Sequence, residues 1–264
     1  MRAYATLIGQ FIRASVQQEL AYRANFLISL MHSLLNAATG VLGVAVLFGQ
    51  VETVRGWDLG ATLAVLGVYL TVGALRDLVI SPSLDALAGM DGEVWTGRLD
   101  FTLLRPVDIQ FLASVRHWRP FALVDLVIGI GVLVAAAARL DAAPGPGDLG
   151  AFLVAFGAGL LALYAVLLAF IGLTFWSPGF LFSWVFSGLF QMARYPVGLY
   201  PGWMRLALTW VVPVGIITTV PAQALAGDVG PGLLAGSVIA AVGLFAGATA
   251  LFRAGLRRYA SASS

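Results

Sequence analysis

Thirteen carboxylates, fifteen arginines and two histidines are the whole stock of charged or proton-transferring side chains in these 264 residues. His32 and His117 stand far apart, and no HExxH, no His/Asp cluster and no GxSxG occurs. There is no cysteine, which excludes disulfides, thiolate metal sites and a Cys nucleophile. All the basic residues are arginine. Without lysine the chain has no Walker A loop to reach nucleotide phosphates, and no Schiff-base chemistry. These absences argue against an enzyme. The chemistry that remains is recognition, and it concentrates in one polar island, D-G-E-V-W-T-G-R-L-D-F-T-L-L-R-P-V-D-I-Q-F-L-A-S-V-R-H-W-R, from Asp91 to Arg119. Arg98, Arg105, Arg116 and Arg119 make it a natural docking surface. Asp91 or Gly92 can cap a short helix there, Trp95 supplies an apolar anchor, and Gly97 can end the helix.

Almost everything around the island is compatible with hydrocarbon. The sequence is 60% hydrophobic and 11% charged, whereas soluble domains run near half and a quarter. A crossing helix needs ~20 mostly apolar residues, and several such runs are present. The short alternating segments of a membrane β-barrel are missing. The expected class is therefore an all-α membrane protein. Its small net charge of +2, with arginines at span ends, suits anionic lipid headgroups and not nucleic acid.

The pattern along the chain gives six spans in one transmembrane domain over 1–264. Residues 1–25 place Tyr4, Leu7, Ile8, Phe11, Ile12, Val16 and Leu20 on one helical face, as an amphipathic helix in the membrane interface would, and Glu19 and Arg23 stand at i,i+4. Spans one and two occupy 26–80, the first from about 26 to 48 and the second from about 59 to 75 or a little beyond. His32, Ser33, Asn36 and Thr39 share one side of the first, and such residues bind neighbouring helices by hydrogen bonds. Arg76 and Asp77 read as a snorkelling boundary, and Ser81-Pro82 as the N-cap and first residue of a new short helix through Ala88. Residues 81–119 form the cytoplasmic region. Spans three to six fall within 120–252: about 121–138, 149–175, 180–192 after a break at Ser177-Pro178-Gly179, and 231–252. Asp125, near the start of the third, is placed to pair with Arg76, Arg116 or Arg119. Residues 253–264 are a tail.

Between the last two spans, Arg194 to Pro221 carries Pro196, Pro201, Pro213 and Pro221, which cut it into pieces too short to cross alone. Broken helices at membrane depth survive only where protein or a water-filled cavity covers their backbone, so a re-entrant or broken element is expected. The arginines orient the whole. Arg2, Arg13, Arg23, Arg98, Arg105, Arg116, Arg119, Arg253, Arg257 and Arg258 fall on one side, against Arg55, Arg139, Arg194 and Arg205 on the other, which makes the first side cytoplasmic. The span centres look almost clear of charge, and no inverted repeat is visible, which argues against an ion-coupled carrier. Pathway walls would then be apolar, aromatic and Ser/Thr-lined, suiting an amphipathic, lipid-like or drug-like cargo. What remains is a transport subunit without its own energy source, or a non-transporting scaffold or sensor that recruits a cytosolic partner.

Two blocks carry a resemblance. Gly97-Arg98-Leu99-Asp100 followed by Leu103-Leu104-Arg105-Pro106-Val107 resembles the G-x-L-D … L-x-R-P-V signature of a type-2 ABC exporter permease family. Arg194-Tyr195-Pro196 … Tyr200-Pro201-Gly202-Trp203 … Val212-Pro213 … Val220-Pro221-Ala222 resembles that family's R-x-P … Y-P … I-P … P-A segment before the last span. The resemblance implies the permease of an ATP-driven exporter in the bacterial inner (plasma) membrane, with both termini cytoplasmic. It implies two ABC ATPase subunits, a second permease chain (a homologue or another copy) and membrane lipids as partners. ATP and Mg would be used by the ATPase, with no cofactor on this chain. Glu93, Val94, Trp95, Thr96, Gly97 and Arg98 would form or flank a coupling helix between spans two and three, seated in the ATPase. Leu99, Asp100, Arg105 and Pro106 would hold that helix to the membrane domain. Arg194, Pro196, Pro201, Trp203, Pro213 and Pro221 would shape the re-entrant element before span six.

Overall fold

The computed structural model describes residues 2–20, 23–88, 91–177 and 182–259, and among these it is helical throughout, with one isolated bridge between Val54 and Trp57. The expected break at 177–179, the start of the fifth segment at 180 and the tail beyond 259 lie in whole or part outside the described residues. In chain order the helices are α1 (Arg2–Leu20), α2 (Arg23–Phe48), α3 (Leu59–Asp85), α4 (Glu93–Thr96), α5 (Leu99–Leu103), α6 (Ile109–Val115), α7 (Leu123–Ala137) and α8 (Pro146–Thr174). Then come α9 (Phe182–Gln191), α10 (Gly202–Val211), α11 (Gly215–Leu225) and α12 (Pro231–Arg258). Local chemistry starts several of them. The Asp58 carboxylate accepts from Ala61 N–H at 2.7 Å ahead of α3, and Pro146 and Pro231 open α8 and α12, where the missing N–H costs nothing.

Among the described residues, five helices are long and apolar enough to cross a membrane: α2 from Asn25, α3, α7 with its 3₁₀ lead-in from Pro120, α8 and α12. The bent pair α10 and α11 makes a sixth if counted as one. The segment expected as span five is shorter than the ~20 residues a crossing needs. Its described part is the ten-residue α9 and a 3₁₀ turn at Met192–Arg194. The core lies where α3 meets α7 and α8 meets α12. Gly67 and Gly129 let α3 and α7 touch backbone to backbone, since a Cβ on Gly67 would stand 2.7 Å from the Leu133 backbone. Leu66, Val68, Leu163, Leu168 and Phe252 are fully buried there. The outer faces of α2 and α7 present Leu27, Met31, Leu35, Val46, Val127 and Val134, as helices against hydrocarbon do.

Two expectations about α3 fail for one reason. The helix does not stop at Leu75, and Ser81 caps nothing: the chain passes through a π turn at Arg76–Ile80 and continues to Asp85, with Ser81 N–H donating five residues back to the Arg76 carbonyl. The same device recurs at Ala207–Val211, where Val212 N–H reaches Ala207 O, and at Gly215–Thr219, where Val220 N–H reaches Gly215 O. In each case the next residue is a proline: Pro82, Pro213 and Pro221. Proline lacks an N–H and its ring crowds the carbonyl of the preceding turn. A widened turn gives that ring room. Thus Pro82 and Pro221 sit inside continuous helices, and of the four prolines thought to divide 194–221, Pro221 does not. At Pro213 the chain does break, with Val212 extended and α10 and α11 bent by 80°.

Candidate functional site

The island is built around its smallest helix. Gly92 stands at the N-cap of α4 and Gly97 ends it in the left-handed region (φ 73°), which a residue with a Cβ enters only under strain. Backbone bonds from Glu93 N–H to Ala86 O and from Val94 N–H to Leu87 O stitch α4 to the turn that follows α3. Its inner side carries Glu93, nearly buried. Glu93 Oε1 meets Arg116 Nη1 at 2.5 Å and Oε2 accepts the Thr102 hydroxyl at 2.8 Å, so one carboxylate ties α4 to α5 and to the end of α6. Val94 and Leu99 are buried in the core. Arg98 folds back on its own turn, Nη2 donating to Asp91 O and Nε to Thr96 Oγ1, while that hydroxyl donates to Gly92 O. The outer side is apolar and bare: Trp95 is 52% exposed, Phe101 73% and Leu104 82%.

The structure brings these residues together but turns them to different sides. Glu93 and Val94 face inward, whereas Trp95 and, from the supporting stretch, Phe101 and Leu104 face outward. Leu99 is fully buried. Asp100 lies near the C-terminal end of α12, where its charge helps burial hold the Tyr259 phenol above its ordinary pKa. Arg105 and Pro106 are exposed, so they do not brace α4 against the core. The strongest brace, Arg116, is among the residues that the sequence places on the docking surface or beside Asp125, not beside Glu93. Arg76 and Arg116 are instead paired with Asp77 and Glu93, and Asp125 makes no ion pair among the described residues.

The island is also moored to three other parts. Ser83 Oγ donates to His117 O at 2.9 Å and accepts from His117 N–H at 2.7 Å, which fixes the last turn of α3 to the segment after α6. Burial pushes the His117 imidazole below its ordinary pKa, Arg116 adds to this, and Glu93 partly opposes it. From α1, Ser15 Oγ accepts from Trp118 N–H and Glu19 Oε2 from Phe121 N–H, while Tyr4 stacks edge-on to Phe111. Glu19 thus serves a backbone donor; the Arg23 side chain expected beside it lies outside the described residues. Gln110 donates to Thr249 on α12. The island, α1 and the end of α12 meet at one end of the bundle.

The broken element lies towards the opposite end. Arg55, in the loop after α2, donates to the carbonyls of Leu199 and Tyr200. A Cβ on Gly227 would stand 3.4 Å from the Asp148 carboxylate at the start of α8, and one on Gly159, midway along α8, would stand 2.9 Å from Ile217 O. The chain therefore dips to mid-bundle at Ile217 and returns to the end it left. Its two arms differ. α10 exposes Trp203, Leu206, Trp210 and Val211, whereas in α11 Ile216, Ile217, Thr218 and Thr219 are all but buried. Pro196, Pro213 and Pro221 are buried and Pro201 is exposed. Thr218 and Thr219 hydroxyls bond Ala193 O and Val197 N–H, satisfying backbone that the prolines leave unpaired.

Arg194 is where the sequence misled most. It is not an end-of-span arginine. Its guanidinium bonds Asn36 Oδ1 near the middle of α2 and lies 5.6 Å from the Tyr69 ring centroid near the middle of α3. The bundle interior is accordingly not clear of charge. A cavity of about 300 Å³ there is lined by His32, Asn36, Tyr69, Arg76, Asp125 and Arg194, among others. A larger one of about 920 Å³ shares Arg76, Asp77 and Ser187 with it and reaches Ser15, Glu19 and Trp118 below α1. Both linings carry charged groups, which the expectation of apolar, aromatic and Ser/Thr-lined walls did not include. The signal was present in the spacing of His32, Ser33 and Asn36. Asn36 does bind a neighbouring segment, while Ser33 and Thr39 bond carbonyls of their own helix.

Among known proteins, a family model described as "ABC-2 family transporter protein" matches residues 34–263, which takes in the island, the broken element, the later part of α2 and every other crossing helix. No curated protein and no solved structure matches.

Proposed function

The chain belongs to the ABC-2 transporter family, and from that membership we propose the permease of an exporter for amphipathic, lipid-like or drug-like molecules, energised by separate ATPase subunits that dock on residues 91–106. The observation that carries this reading is the two-sidedness of α4. A carboxylate bridged to Arg116 and Thr102 fixes its inner side, and a half-exposed Trp95 stands on the other. Exposed aromatic anchors on a rigid mount are what dominate protein interfaces. In this reading two ATPases and a second permease, either a homologue or another copy, complete the complex. The N-terminus, island and C-terminal end face the cytoplasm of a bacterial cell, and the broken element faces outward.

The mechanism follows from the mooring. Closure of the ATPases on nucleotide would press α4; the pairing of Ser83 with His117 would pass the displacement into the last turn of α3; and Arg76 and Asp77, seven and six residues before Ser83, line both cavities. Such a push changes the path only if the two arrangements bind nucleotide-loaded ATPase differently. The chain supplies no phosphate-binding lysine, so hydrolysis belongs to the partner.

The test is co-purification of the ATPase with Trp95→Ala, together with ATP turnover in membranes. Loss of one such anchor removes ~2 kcal/mol, at least a tenfold drop in affinity. Wild-type binding and turnover in that variant would remove the island from the mechanism. Binding with no substrate flux in the native complex would turn the reading into one of recruitment alone.

A further inference from the structure

The mid-bundle cavity holds two charges whose needs the chain does not meet. A cationic side chain at the centre of a crossing bundle is costly, and such groups mark ligand or ion pathways. Arg194 is partnered by a neutral amide and an aromatic face, neither of which carries a compensating negative charge, and its Nε is buried without a hydrogen-bond acceptor. On the wall formed by the start of α7, Asp125 has no ion pair or hydrogen bond among the described residues. The remaining pair in the cavity, Arg76 and Asp77, neutralise each other at 2.9 Å, and Arg76 also stacks on Phe190. What is left is one positive and one negative group facing a shared space, more than 4 Å apart, that Tyr69, Ile128 and Phe190 also line.

We infer that this cavity is a binding site for the zwitterionic headgroup of an amphipathic molecule, its anionic group on Arg194 and its cationic group on Asp125. The inference rests on the permease reading above and narrows its cargo. A purely anionic headgroup would satisfy Arg194 and meet Asp125 as a like charge; a purely cationic one would do the reverse. Only a ligand carrying both signs neutralises both walls. The size agrees: 300 Å³ is at the lower end of ligand pockets, enough for a headgroup with its chains left outside. The larger adjoining cavity, opening beneath α1, provides the approach from the interface.

Binding is measurable without the ATPase, which separates this inference from the transport reading. The purified chain in nanodiscs is titrated with fluorescent lysophosphatidylethanolamine, which is zwitterionic, and with fluorescent lysophosphatidylglycerol, which is anionic. The zwitterionic probe should bind at least about tenfold more tightly. Asp125→Asn removes no ion pair or hydrogen bond among the described residues, so the variant is expected to fold, and it should bring the two probes to similar affinity. Arg194→Gln should weaken both probes about tenfold or more. Equal affinity of the two probes for the native chain, or an Asp125→Asn variant with unchanged preference, overturns the inference. So does a cross-link between cysteines placed at 125 on one copy and 194 on another, because the gap would then be filled by a second chain. Retained preference in a complex that moves neither probe would sustain the site and count against transport.

Discussion

The two ends of this molecule both expose large aromatic residues, yet they are held by different means. At the island, side-chain charge fixes the mount: Glu93 bridges Thr102 and Arg116, Arg98 clamps its own turn, and Ser83 and His117 exchange bonds. In the broken element, apolar burial does so. α11 packs Ile216 and Ile217 against α8, hydroxyls patch the backbone that proline leaves open, and the one arginine that reaches that backbone, Arg55, ends on carbonyls and makes no ion pair among the described residues. The difference matches the surroundings expected at each place. An ion pair can be built where water is at hand to share the desolvation cost. At mid-bundle the cheaper solution is close packing with each polar group satisfied locally. A surface mounted on charges can also be pushed and re-formed, whereas a packed hairpin moves as a block.

Arg116→Ala strikes the first kind of mount and should have the largest effect. It leaves Glu93 nearly buried and unpaired, a loss of ~3 kcal/mol concentrated in the island. The chain has no cysteine of its own, so a thiol introduced by Val94→Cys, at a buried position, reports the opening. It should resist labelling in the native background and react when Arg116 is also replaced. Protection in both would mean that packing, not charge, holds the island, and the contrast between the ends would vanish. Gly159→Ala strikes the second kind. Its Cβ would crowd Ile217 O and Ile216 O at 2.9 and 3.1 Å, costing ~1–3 kcal/mol. The expected reading is a lower unfolding temperature in detergent with normal ATPase co-purification; a loss of docking instead would mean the two ends are rigidly joined.

The smallest effect is on pH. Because the folded state lowers the His117 pKa, the unfolded chain takes up that proton first as the pH falls through about 6.5. The stabilisation is present above that value and declines below it. Melting temperatures taken at about pH 7.5 and 5.5 should show a drop that His117→Gln reduces. An equal drop in the variant would assign the acid sensitivity to other groups.

The long apolar runs made five crossing helices legible, because hydrocarbon demands length and composition and little else. Gly92, Trp95 and Gly97 foretold α4, since its caps are local chemistry. What stayed hidden depends on residues distant in sequence. Arg194 reads as the flank of a proline-rich loop until Asn36, 158 positions away, is found beside it. Arg116 reads as a surface arginine until Glu93 turns inward. The end placed at Leu75 had a different cause: charge at Arg76 and Asp77 followed by Ser81-Pro82 has the composition of a boundary, and a widened turn leaves no compositional mark.

That turn has a further consequence. A π turn is an α-helix holding one surplus residue, so it works as a phase offset between the two lengths it joins. Remove one residue from Arg76–Ile80 and the helix closes into ordinary winding, but everything beyond it rotates by about 100°. Ser83 would then point away from His117. The chain would be shorter by one residue and uninterrupted in its helix, with the cavity wall and the island keyed to different azimuths.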